Sequence, residues 1–244
     1  MILAALAATA IASAASPGER YGDSLLRWEV ARHPQIRDAA IEIDGPPSSR
    51  FNFGSTAKGA TAVSVPLLDG LGDRIGTLTL ELTGHGKRPE TAKIASELSR
   101  HIYSQAVLAE PDPFVAGAFH SKAGQRLVER ELAAQPELVT IAMHVALPDR
   151  SNEIIASNFG RIGKAADADD QHVIKDSAVL QEETSGGRRA AVELPLLDRS
   201  GHVIGALSTS FLVGPDGKPG AYRSALRVQH ALSHAIAGLD ALAR

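Results

Sequence analysis

Leu194-Pro195-Leu196-Leu197-Asp198-Arg199-Ser200-Gly201-His202-Val203-Ile204-Gly205-Ala206-Leu207 has a near copy earlier in this chain of 244 residues. The earlier stretch runs Val65-Pro66-Leu67-Leu68-Asp69, then Gly72-Asp73-Arg74-Ile75-Gly76-Thr77-Leu78, and an offset of 129 residues carries one onto the other without a gap. A match of this kind marks a duplicated unit, and two units of about 100 residues fit the length. Each copy reads as strand, tight turn and strand, with the proline and aspartate closing the first strand before the glycine turn. The pair therefore predicts two sheets built on the same hairpin, and the differences between the copies become the guide to function.

Flanking landmarks extend the match. His33-Pro34-Gln35-Ile36 through Ile41-Glu42-Ile43 corresponds to Gln135-Pro136-Glu137-Leu138 through Met143-His144-Val145 at an offset of 102. Asn52-Phe53-Gly54 and Lys58 correspond to Asn158-Phe159-Gly160 and Lys164 at an offset of 106. Four extra residues thus enter the second copy before Asn-Phe-Gly, and 23 enter between the lysine and the hairpin. In the second copy the pattern predicts a helix over 119–134, strands over 139–147 and 153–157, and a turn at Pro148-Asp149-Arg150-Ser151. It then predicts an acid-headed helix over 167–175, strands over 178–184 and 188–197 around Ser185-Gly186-Gly187, a strand over 203–213 and a closing helix over 222–242. The first copy reads as the same plan with helices over 25–32 and 91–108, lacking the short helix and the third strand of the later run. Ala109-Glu110-Pro111-Asp112-Pro113 reads as the linker. The division expected is 19–108 and 116–244, joined by 109–115.

Composition is that of an ordinary globular chain: 44% hydrophobic, 22% charged, formal net charge −3. With no basic excess and 4% aromatic residues, a nucleic-acid partner is not expected. The absence of cysteine excludes disulfides, thiol catalysis and cysteine-ligated metals. Residues 2–11 are apolar, too short a run to span a bilayer comfortably, and are followed by Ala12-Ser13-Ala14 and Ser16-Pro17-Gly18. This small-x-small pattern predicts a signal peptide over 1–15 and a soluble mature protein that is periplasmic or secreted. No positively charged segment precedes the apolar run, which places the expected true start upstream.

The block Ile154-Ile155-Ala156-Ser157-Asn158-Phe159-Gly160-Arg161-Ile162-Gly163-Lys164, followed by 167–174 and 192–207, resembles the extracytoplasmic PAS-like sensor modules called Cache domains. The likeness covers most of 119–243 and part of 23–108. It implies an α+β fold of two tandem PAS/Cache-like modules, each an antiparallel sheet flanked by helices, the first abbreviated. It also implies that one sheet face holds a small ligand such as an organic acid or amino acid. The chain carries no kinase, cyclase or methyl-accepting region, so it reads as a free-standing binding module or as a receptor fragment that signals only through a partner. A membrane-bound signalling partner and a homodimer are both compatible with that reading.

Asn158 to Lys164 is the most suggestive loop. Arg161 and Lys164 lie within four residues of one another on a glycine-containing loop beside a helix start, a combination able to hold a carboxylate or phosphate. It is not a P-loop, because the glycine spacing and the residue after the lysine are wrong. The competing reading pairs these cations with Asp167, Asp169 or Asp170. The first copy has Ser55 where the second has Arg161. Phe53 and Phe159 are expected to plug the core beneath the loop. His144 could face a pocket or the core. His230 and His234 are spaced as a metal pair, but no third ligand is evident, and no metal or cofactor is expected. No nucleophile elbow or dinucleotide fingerprint is present, so enzyme activity is not expected. The reading is an exported sensor-type protein that binds a small, anionic metabolite in its second module through Arg161, Lys164, Asn158 and His144. The alternative is a periplasmic interaction or assembly module without a small ligand.

Overall fold

The computed structural model describes residues 19–45, 49–54, 62–83, 87–147 and 150–243. The expected leader, Ser55 and Lys58 of the first copy, and Pro148 and Asp149 of the expected turn lie outside them. The first unit comprises α1 (Tyr21–Arg32), β1 (Ile36–Ile43), β2 (Arg50–Phe53), β3 (Ala62–Leu68), β4 (Arg74–Leu82) and α2 (Lys87–Ser99). Its strands form an antiparallel sheet in the order β2-β1-β4-β3. The second unit comprises α3 (Lys122–Ala134), β5 (Leu138–Ala146), β6 (Asn152–Ser157), α4 (Ala168–Asp176), β7 (Leu180–Thr184), β8 (Arg189–Leu197), β9 (Val203–Leu212), α5 (Gly217–Ala235) and α6 (Leu239–Leu242). Its antiparallel order is β6-β5-β9-β8-β7, the same arrangement with β7 added at one edge. The chain is therefore an α+β protein of two antiparallel sheets flanked by helices. Among the described residues, no helix is long and apolar enough to cross a membrane.

The duplication extends to individual hydrogen bonds. Asp69 Oδ1 accepts from the backbone N–H of Leu71 and Asp73 (2.9 and 3.0 Å), and Asp198 Oδ1 accepts from Ser200 and His202 (2.8 and 3.0 Å). A Cβ on Gly76 would lie 2.1 Å from the Glu42 carbonyl oxygen, and one on Gly205 would lie 2.0 Å from that of His144. The same neighbour in both copies makes Glu42 and His144 structural equivalents.

Helix ends differ from the sequence expectation. The first helix begins at Tyr21 rather than Leu25, and α2 covers 87–99 rather than 91–108, with a 3-10 turn at Gln105–Ala109. The last helix starts at Gly217 and stops at Ala235, separated from α6 by Gly238, whose φ of 155° no helix accommodates. The stopping points share one cause. The Ile102 carbonyl accepts from Gly70 N–H, and the Ile236 carbonyl accepts from Arg199 N–H, both at 2.8 Å. Each helix ends so that a buried isoleucine can tie it to the hairpin turn, which aligns the closing helices at an offset of 134.

Each sheet buries one face under its first and last helices. In the second unit, Ile141, Met143 and Val145 alternate onto the face shared with Val128 and Leu132 of α3 and Val228 and Leu232 of α5. Fully burying each such side chain contributes about 1.5–3 kcal/mol. Ala142 and His144 alternate onto the opposite face, which α4 covers beside β8 and β9. Among the described residues the first sheet has no counterpart of α4.

Candidate functional site

Beneath α4 lies a hollow of about 130 Å³ lined by Ala142, His144, Ile154, Phe159, Arg161, Lys164, Asp167, Asp170, Glu193 and Ser208. Three of the four residues expected at a ligand site, His144, Arg161 and Lys164, meet here. Asn158 does not.

The hollow is richer in carboxylates than the sequence reading anticipated. Asp167 caps α4, accepting from the N–H of Asp169 and Asp170 (3.2 and 3.3 Å), and Asp170 Oδ2 returns a bond to Asp167 N–H at 3.0 Å. Ser208 Oγ donates to Asp170 Oδ1 at 3.3 Å. Burial pushes the Asp170 carboxyl up. Burial also pulls Asp167 upward, but the N–H of Asp170 and the Lys164 charge outweigh it and hold that carboxyl down. Lys164 Nζ is 3.7 Å from Asp167 Oδ2, the pairing the competing sequence reading foresaw.

His144 and Glu193 are the unsettled members. Burial, aided by the Lys164 charge, pushes His144 down to about 4, so the imidazole is neutral at physiological pH. Its Nδ1 lies 3.2 Å from Asp170 Oδ2, within ion-pair reach, yet no hydrogen bond reaches that buried atom because the direction misses the carboxylate. Burial, followed by the charges of Asp170, Asp167 and Asp169, pushes Glu193 up to about 7. Its Oε2 is buried without a hydrogen-bond partner. The hollow thus holds unmatched polar atoms around one lysine, a costly arrangement unless a partner meets them.

Arg161 and Asn158 already have partners within the protein. The Arg161 guanidinium is forked onto Glu110 (2.8 and 2.6 Å), which draws its pKa up. The backbone of Arg161 has φ of 62°, a left-handed conformation uncommon outside glycine. Asn158 is 1% exposed, and its side chain bonds only to backbone. Oδ1 accepts from Ile141 N–H (2.9 Å), while Nδ2 donates to the carbonyls of Val139 (2.9 Å) and Arg100 (2.6 Å). The loop therefore spends both residues on the contact between units. Tyr21 OH donates to the His101 carbonyl at 2.9 Å and lies 3.3 Å from that of Asn158. A Cβ on Gly160 would sit 2.6 Å from the Tyr21 ring. The segment read as a linker is held at both ends, through Tyr21 N–H to the Glu110 carbonyl (2.8 Å) and Phe114 N–H to that of Ile162 (3.0 Å). Phe159 packs on Tyr103 (5.7 Å between ring centres), and Phe53 packs at the edge of the first core.

No family model matches the chain, and no curated protein matches it by sequence. Among solved structures it is similar to the C-terminal domain of the Escherichia coli transcriptional regulator KdgR, at 15% identity and a TM-score of 0.30, over 48% of this chain and 98% of that one. It is also similar to PelD from Pseudomonas aeruginosa. A structure from strain PAO1 matches at 15% identity and 0.26 over 85% of this chain and 74% of that one. An apo form from strain PA14 matches at 15% and 0.27 over 93% and 81%.

Glu193 and Ser208 were missed in the sequence reading, and Asp170 entered it only as a partner for the loop cations, although a signal for Glu193 existed. The offset of 129 sets Glu193 against Ser64 and Ser208 against Thr79, and both pairs face each other across their strands. In the first copy the pair is two hydroxyls 2.9 Å apart, and in the second a carboxylate replaces one of them. Other features have less chemistry. The His230 and His234 Nε2 atoms are 3.0 Å apart on exposed α5, with no third ligand among the described residues. A larger hollow of about 300 Å³ beside β3 and α2 has Arg88 as its sole charged wall.

Proposed function

We propose that the second unit is a sensor-type module, of PAS/Cache kind, which binds a small amino acid in the hollow beneath α4. Its role is binding rather than catalysis, and the leader read at residues 1–15 supports an exported protein. The carrying observation is the pair of unmatched buried atoms, Glu193 Oε2 and His144 Nδ1, beside Lys164. A bare anion would meet Asp167, Asp170 and Glu193 with only Lys164 in its favour, because Arg161 is already paired. An amino acid supplies both charges: its ammonium donates to Glu193 and Asp170, and its carboxylate faces Lys164. The volume of about 130 Å³ lies well under the roughly 300–1,000 Å³ of drug-sized sites, which restricts the ligand to the smallest amino acids.

Calorimetry and thermal shift with glycine, alanine and serine test this, with acetate and ethylamine as half-ligands. The expected result is stabilisation by a millimolar amino acid, none by either half-ligand, and loss of the effect in Glu193→Gln and Lys164→Ala. Absence of a shift with every amino acid, or unchanged binding in both variants, overturns it. A flat titration would leave standing the alternative of an interaction module without a small ligand.

A further inference from the structure

The first unit contains a cluster that the second lacks. Glu29 and His33 stand one turn apart at the end of α1, and Glu97 faces them from α2. His33 Nε2 lies 2.8 Å from Glu29 Oε1 and 3.0 Å from Glu97 Oε2, and the three donor atoms all fall within 4.8 Å of one another. Glu29 is 0% exposed. The ring N–H cannot serve both carboxylates and is aimed at Glu97, so neither oxygen of Glu29 receives a hydrogen bond. Its nearest other cation, Arg32, is 3.9 Å away and half exposed. Lys93 approaches Glu97 at 3.8 Å, and Gln35 Nε2 touches His33 Nδ1 at 3.3 Å and Glu90 at 3.2 Å.

The duplication shows that the cluster is not part of the shared scaffold. At the offset of 102, Glu29 corresponds to Glu131 and His33 to Gln135, and at the offset of 134 Glu97 corresponds to Ala231. The second copy satisfies its buried glutamate with Arg130, at 2.8 and 3.0 Å, and with Gln135 at 3.4 Å. The first copy keeps the buried carboxylate, replaces the glutamine with an imidazole and adds a second carboxylate.

We propose that Glu29, His33 and Glu97 form a binding site for a first-row divalent transition cation, with zinc or manganese the class of choice. Adjacent donors on a cation with bonds of about 2.1 Å are about 3.0 Å apart in an octahedron and about 3.4 Å apart in a tetrahedron. The separations of 2.8 and 3.0 Å from His33 to the two carboxylates are close to the octahedral edge, and a tetrahedral zinc would spread them by about 0.4–0.6 Å. One imidazole with two carboxylates suits borderline cations over calcium or magnesium. His33 and Glu97 are 13% and 32% exposed, leaving water free to complete the coordination from outside. The ion would clamp α1 to α2.

The test uses the full chain in an H230A/H234A background, which removes the surface imidazole pair as a competing chelator. Zinc chloride is titrated by calorimetry, and cobalt(II) by its visible absorption. One equivalent is expected to bind and to raise the melting temperature, with affinity lowered at least tenfold in His33→Gln and Glu97→Gln. His33→Gln installs the residue that the second copy carries at this position, and Glu97→Gln preserves shape at a partly exposed site. Circular dichroism of both variants confirms that they fold. No one-to-one binding, or binding unchanged by both substitutions, overturns the site and leaves a hydrogen-bonded Glu-His-Glu triad.

Discussion

Glu193 and His144 give one hollow two opposed pH dependences. The folded pKa of Glu193, about 7, lies above the ordinary 4.5. Its contribution to stability is therefore fully present below about 4.5 and lost as pH rises through about 7. Glu193→Gln is expected to exceed the parent at pH 8 by on the order of 1–2 kcal/mol, after discounting for partial solvent exposure, and to match it near pH 4. His144 runs the other way. Its folded pKa of about 4 lies below 6.5, so its contribution is present above 6.5 and lost as pH falls through 4. His144→Gln should flatten that acid limb by about 2–3 kcal/mol. Urea titrations at several pH values check both, and slopes unchanged by the substitutions would refute them. Two-residue alternation could place Glu193 and His144 on a strand face. Whether that face was covered depended on α4, 24–32 residues after His144 and 17–25 before Glu193, so their burial was not legible locally.

Hairpins and helix ends differed in legibility for a related reason. The Pro-Leu-Leu-Asp turns are decided by neighbours in sequence, since Asp69 and Asp198 each accept from N–H groups two and four residues ahead. They could be read directly, as could the added helix and edge strand of the second copy. The ends of α2 and α5 are decided by Ile102 and Ile236 meeting a turn about 30 residues upstream, which helical periodicity does not record. The conserved geometry carries a prediction of its own. Gly205→Ala would drive a methyl to 2.0 Å from the His144 carbonyl oxygen, against backbone that cannot yield without breaking the β5–β9 ladder. A loss of about 2–4 kcal/mol in denaturant unfolding is expected. Gly76→Ala in the first sheet should lose a similar amount, whereas Gly72→Ala, with open space around it, should lose only the cost of its positive φ.

The loop that sequence reading assigned to a ligand joins the two units, beside Arg100 on the Leu132 carbonyl, Arg189 on Tyr103 and His101 facing Glu129. Asn158 to Arg100 and Tyr21 to the Asn158 carbonyl cross the junction, Arg161 holds the linker through Glu110, and Arg188 adds a fork onto Asp73 at 2.9 and 2.6 Å. The last pair is about half exposed on both sides and contributes little. Asn158 matters most, because it is buried and ties the second sheet's own β5 to the end of α2 region with one amide. Phe159 and Arg161 also line the hollow, so the proposed ligand site and the junction share a loop. Asn158→Ala strands the Ile141 N–H and the carbonyls of Val139 and Arg100, a loss of about 3 kcal/mol or more. Because one of those partners belongs to the first unit, the substitution should also uncouple the two. Scanning calorimetry of the parent is expected to show one cooperative transition, and Asn158→Ala two, the second unit melting first. Arg161→Ala, which removes a partly exposed pair and leaves the buried amide in place, should lower the midpoint by a smaller amount and keep a single transition. A parent that already melts in two steps, or an Asn158→Ala protein that keeps one, would show that the units are coupled through something other than this loop.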